Sequence, residues 1–115
     1  MMTTPRFLQG AFAFEGRGLD RPALLHPTLT YTVPEGVTGQ VLYLRGGNSS
    51  DEVVTLVLVV DGARARWLPI GAKGDMHVSL RVVEDLLAGT TVELHLAAPA
   101  GTTGTAVVDC GLVEV

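Results

Sequence analysis

The chain has 115 residues, of which 47% are hydrophobic and only 17% charged, with 14 glycines. A length of that order buries enough surface for one hydrophobic core without staples, so a multi-domain machine, a disulfide-rich miniprotein and a disordered chain are all excluded. The net charge of −4, with seven Arg and one Lys (Lys73) scattered along the chain, leaves no concentrated positive patch for a phosphate backbone.

A single cysteine, Cys110, precludes an intrachain disulfide. The opening Met1-Met2-Thr3-Thr4-Pro5 lacks a basic segment followed by an apolar core, and no apolar run reaches the roughly 20 residues of a membrane helix. The expected address is the cytoplasm or a particle assembled there, without membrane insertion.

Residues 1 to 26 hold a short apolar stretch around Phe12 and Phe14 that Gly16, Gly18 and Pro22 interrupt. This reads as an arm or an irregular first strand, followed by a β-sandwich domain over 27 to 115. From Pro27 onward, short apolar segments alternate with turn signals at sandwich or barrel spacing. Leu29, Tyr31 and Val33 alternate with threonines until Pro34-Glu35-Gly36 stops the strand. Val41 to Arg45 forms the next, closed by the loop-forming run Gly46 to Asp51.

Val53 to Val60 is apolar everywhere except Thr55, the composition of a central strand. Asp61-Gly62 then predicts a two-residue hairpin. An unbroken register from Val60 opposite Ala63 places Val54, Leu56, Leu58, Ala65 and Trp67 on the core face. The other face receives Val57, Val59, Leu68 and Ile70 beside Arg64 and Arg66, more apolar than a solvated sheet face requires. A covering partner is expected there, with Phe12 and Phe14 contributing from the arm.

Met76, Val78, Leu80 and Val82 alternate with His77, Ser79 and Arg81, and Val92, Leu94 and Leu96 alternate with Glu93 and His95. In the last strand, Ala106, Val108 and Cys110 share a face while Val113 and Val115 fall out of phase, which predicts a bulge near Gly111. The expected fold is an all-β antiparallel sandwich, jelly-roll-like, with seven or eight strands and no substantial helix.

Catalytic and metal chemistry find little support. His26, His77 and His95 have no ligand-like spacing, even with Asp75 close to His77, so no metal or other cofactor is expected. Cys110 alternates with core valines and reads as a packed small hydrophobe rather than a nucleophile. The pairs Asp51-Glu52 and Glu84-Asp85 point to opposite faces if extended, and read as solubilising loop charges. Gly46-Gly47 lacks the context of a phosphate loop, and the Asn48-Ser49-Ser50 triplet reads as a chance glycosylation match. Of the six aromatic residues, Tyr31, Tyr43 and Trp67 fall on expected core positions, leaving no sugar-stacking platform.

Leu29 to Val115 nevertheless resembles the small β-sandwich domains of tailed-phage and phage-like, gene-transfer-type virion proteins of heads, necks, fibres and spikes. The resemblance lies in Tyr31-Thr32-Val33-Pro34-Glu35-Gly36, the turn Asn48-Ser49-Ser50, Val53-Val54-Thr55-Leu56 through Val60-Asp61-Gly62, Leu68-Pro69-Ile70, and the closing Leu87-Ala88-Gly89-Thr90-Thr91-Val92-Glu93-Leu94. Thr90 stands where such domains more often carry Asp. The resemblance implies a non-enzymatic structural subunit (spike or fibre base, decoration or neck component) that binds copies of itself and other particle subunits. A carbohydrate- or receptor-binding sandwich module is the alternative.

Overall fold

A computed structural model describes residues 3–115. Nine strands account for the regular structure: β1 (Thr4–Glu15), β2 (Ala23–Leu24), β3 (Thr30–Thr32), β4 (Gly39–Asn48), β5 (Val54–Val60), β6 (Ala63–Ile70), β7 (Asp75–Ser79), β8 (Thr91–Ala97) and β9 (Thr103–Glu114). They form two antiparallel sheets, one ordered β1-β9-β4-β7 and the other β2-β8-β5-β6, with β3 also pairing on β8. The all-β sandwich is thus as the sequence predicts, and the described residues contain no helix that could cross a membrane.

The core lies between the sheets. Leu44, Val108, Cys110 and Leu112 face it from one side, and Val54, Leu56, Leu58, Ile70, Val92 and Leu94 from the other. Removing each such side chain from water stabilises the fold by about 1.5–3 kcal/mol. The first 26 residues carry a continuous twelve-residue strand, β1, paired along its whole length with β9. Phe12 and Phe14 are half-buried and pack against the core from this strand.

Asp61 and Gly62 both adopt positive φ, 49° and 79°, as a two-residue hairpin of matching twist requires. The register starts as expected, with Val60 opposite Ala63 and Val59 opposite Arg64. It then slips: Leu58 faces Arg66, and Ala65 is left over as a bulge. Because strand side chains alternate with period two, one extra residue exchanges the faces of everything beyond it. Leu68 and Ile70 turn inward opposite Leu56 and Val54, and Trp67 turns outward opposite Val57.

A second bulge lies between Val41 and Tyr43, with Leu42 the extra residue opposite Gly111 and Leu112. The irregularity expected near Gly111 is therefore on the partner strand β4, whereas β9 keeps its pairing with β1 unbroken. Strand β4 also runs on through Gly46, Gly47 and Asn48, residues that sequence reading assigns to a loop. They can stay in the ladder because Asn48 ends it with a buried polar hub. Its amide donates to the carbonyls of Glu52, Ile70 and Gly71, and its oxygen accepts from the Ser50 amide and hydroxyl. That side chain is buried and fully engaged, so the glycosylation triplet presents no acceptor.

Candidate binding groove

Inter-strand register stacks side chains into rows across a sheet. On the outer face of the four-stranded sheet, one row runs Gln9, Asp109, Arg45, His77, contributed by β1, β9, β4 and β7. The next is Phe7, Gly111, Tyr43, Ser79, and on the other side lie Ala11, Val107, Gly47, Asp75. Gly47 adds no side chain, so a groove of about 710 Å³ opens there, lined by Gln9, Arg45, Asp75, His77, Val107 and Asp109.

Tyr43 borders it. Its ring lies over Gly111, where any Cβ would overlap it, so glycine is required there for close approach. The Tyr43 hydroxyl donates to Asp109 Oδ1 at 3.1 Å, and the ring meets His77 edge-on with centroids 5.9 Å apart. Burial first, and then that hydrogen bond, push the Tyr43 hydroxyl above its usual pKa, so it remains a donor at neutral pH. Across Gly111, Phe7 is 53% exposed. The face therefore offers two aromatic rings beside a row of amide, carboxylate, guanidinium and imidazole groups.

Sequence reading missed this site because it places Tyr43 in the core. The bulge at Leu42 reverses that, just as the bulge at Ala65 exposes Trp67. One signal was visible: Asp75, His77 and Ser79 alternate with Met76 and Val78, which marks a polar outward side of that strand.

The residues singled out as a protein interface lie elsewhere. On the outer side of the five-stranded sheet, Val57 and Val59 are only 0% and 2% exposed, flanked by Trp67 and His95 and by Arg64 and Glu93. Trp67 is 46% exposed, with the Arg64 guanidinium 5.7 Å from its ring centroid. Ile70 is buried in the core and Leu68 packs against it from β6. The apolar outer face inferred from an unbroken hairpin is thus divided between core and self-covered positions. Arg66 projects at the rim, 4.0 Å from Glu84.

The three histidines are far from one another in the fold. His77 lines the groove, His95 lies on the opposite sheet 3.2 Å from Glu93, and His26 stacks on Phe12 at 4.7 Å. Among the described residues, no three His, Cys, Asp or Glu side chains are grouped to hold a metal ion. Cys110 is fully buried, and burial followed by the Asp109 charge pushes its thiol up to about 12, so it is not a thiolate at neutral pH.

The sequence matches no family model and no curated protein. Solved structures match the fold. The CBM36-1 domain of a multidomain xylanase from the hindgut metagenome of Trinervitermes trinervoides aligns with a TM-score of 0.58 at 14% identity, over 96% of each chain. A chain of the cyanophage Pam1 capsid asymmetric unit aligns with a TM-score of 0.58 at 15% identity, over 96% of this chain and 85% of that one. A family 35 carbohydrate binding module from Clostridium thermocellum gives 0.51 at 14% identity, over 95% and 97%. The same sandwich thus occurs in carbohydrate-binding modules and in a viral capsid, and fold alone does not decide between those roles.

Proposed function

We propose that the chain is a non-catalytic recognition module that binds a hydroxyl-rich ligand, an oligosaccharide segment, in the groove of the four-stranded sheet. The observation that carries this reading is the row Gln9, Asp109, Arg45, His77 beside the rings of Phe7 and Tyr43. Sugars present apolar C–H faces and dense hydroxyls, and a few convergent polar groups next to aromatic surface answer both. Two carboxylates, Asp75 and Asp109, accompany the single guanidinium of Arg45 in the groove, which favours a neutral sugar over a phosphate or polyanion. The similarity to two carbohydrate-binding modules of nearly equal length supports the same reading.

The test is a glycan array followed by calorimetry with Arg45→Ala and Phe7→Ala. Each substitution should weaken binding by about tenfold or more, roughly 1.4 kcal/mol, while leaving the urea midpoint unchanged. An array without hits, or affinity indifferent to both substitutions, would refute the groove.

A second reading, a structural subunit of a phage-like particle, draws on another observation. The β7–β8 connection presents Val82, Val83 and Leu87 to solvent, an apolar surface suited to docking on a larger assembly. The similar capsid chain of comparable length supports it. In this reading the protein resides in a virion or related particle assembled in the cytoplasm. Electron microscopy of particles made with and without the chain distinguishes the two: a lost protrusion or joint favours the particle role, and unchanged particles favour the sugar-binding role.

A further inference from the structure

We propose that two copies of this chain pair edge to edge through β1, joining their four-stranded sheets into one continuous eight-stranded sheet. Every sheet edge exposes unpaired backbone donors and acceptors, and folded proteins usually blunt them. Three of the four edges here are blunted. Strand β6 carries Arg64, Arg66, Pro69 and the Ala65 bulge; β7 has five residues; and β2 and β3 have two and three.

Strand β1 carries such devices only at its ends, Pro5 and Arg6 at one and Glu15 at the other. It runs for twelve residues, and among the described residues nothing pairs with its outer side. Gly16, in register just past the strand, donates its amide to Thr102, so even-numbered residues direct their backbone groups at β9. The odd-numbered residues Phe7, Gln9, Ala11, Ala13 and Glu15 therefore turn theirs outward. No charge and no proline interrupts Phe7 to Ala13.

The strand is also complementary to itself. In an antiparallel pairing centred on Gly10, Phe7 meets Ala13, Gln9 meets Ala11, Leu8 meets Phe12 and Arg6 meets Phe14 of the second copy. Large side chains thus face small ones on the outer side, while the inner side gains an apolar pair and a cation over a ring. The twofold axis stands perpendicular to the sheet, so both outer faces point the same way. The Gln9 ends of the two polar rows then adjoin, and the two grooves become one. Pairing of β1 does not depend on what the groove binds.

Analytical ultracentrifugation of the full chain across a wide concentration range tests the dimer. Wild type should sediment as a dimer. Ala11→Pro removes an outward-facing amide without touching the β9 ladder, and should give a monomer with an unchanged far-ultraviolet spectrum. Should that variant misfold, Ala11→Lys sets two lysines as diagonal neighbours across the twofold axis and should also give a monomer. A wild-type chain that stays monomeric, or a dimer that withstands Ala11→Lys, overturns the proposal.

Discussion

At the scale of single residues, two polar side chains inside the sandwich govern more stability than their number suggests. Asn48 serves the three carbonyls of Glu52, Ile70 and Gly71 and the amide of Ser50 from one buried position. Replacing it by Ala strands several of those groups, at about 1–3 kcal/mol for each one left without water. Asn48→Ala should therefore lose about 3 kcal/mol or more in urea unfolding; a loss under 1 kcal/mol would show that the hub is dispensable. Glu114 is the second. Its carboxylate accepts from the Tyr31 hydroxyl and pairs with Arg6 through two bonds, Nε at 3.1 Å and Nη2 at 3.3 Å. The Tyr31 bond first, then Arg6, hold its pKa below the ordinary 4.5. A carboxyl depressed by folding contributes stability that is present above its unfolded pKa and lost as pH falls through the folded one. Glu114→Gln should thus be less stable than wild type at neutral pH, and the two should converge as thermal melts are taken progressively below pH 4.5. Parallel pH profiles would refute the pairing.

Elements show where the chain was legible and where it was not. Hydrophobic alternation and turn chemistry locate β3 to β9, and Asp61-Gly62 announces its hairpin, because these signals are local. A β-bulge is not local. Nothing in Ala63-Arg64-Ala65-Arg66 says which residue will be left unpaired; the choice belongs to the packing of Leu68 and Ile70 against Leu56 and Val54. The unbroken register would leave Ile70 on the outer face. One surplus residue buries it and exposes an indole instead, with Arg64 placed to meet its ring. The same logic at Leu42 puts Val41 and Leu44 in the core and Tyr43 on the outer face beside the groove. Each misplaced aromatic thus follows from a one-residue slip in its own strand pair. The chain's single tryptophan makes this measurable. Native Trp67 should emit at long wavelength and be quenched readily by acrylamide, with Arg64→Ala increasing the quenching. A blue-shifted, protected emission would restore the unbroken register.

Taken whole, the molecule is elongated, 45 × 23 × 22 Å, because β1 and β9 run its length side by side. Twelve residues at about 3.3 Å each account for roughly 40 Å of that axis. The two outer faces have different characters. One sheet covers its valines with its own indole, imidazole and guanidinium groups, and the other leaves a hollow over Gly47 ringed by polar side chains. The hollow with its polar side chains is thereby confined to one side, while the two-sheet fold is shared with carbohydrate-binding modules and a capsid chain and is silent about ligand. The β1–β9 ladder also sets Thr4 directly opposite Glu114. Strand β1 therefore starts at the corner where β9 finishes, so the sandwich bounded by Thr4 and Glu114 suits splicing into a hairpin loop of a host protein, hung from a single stalk.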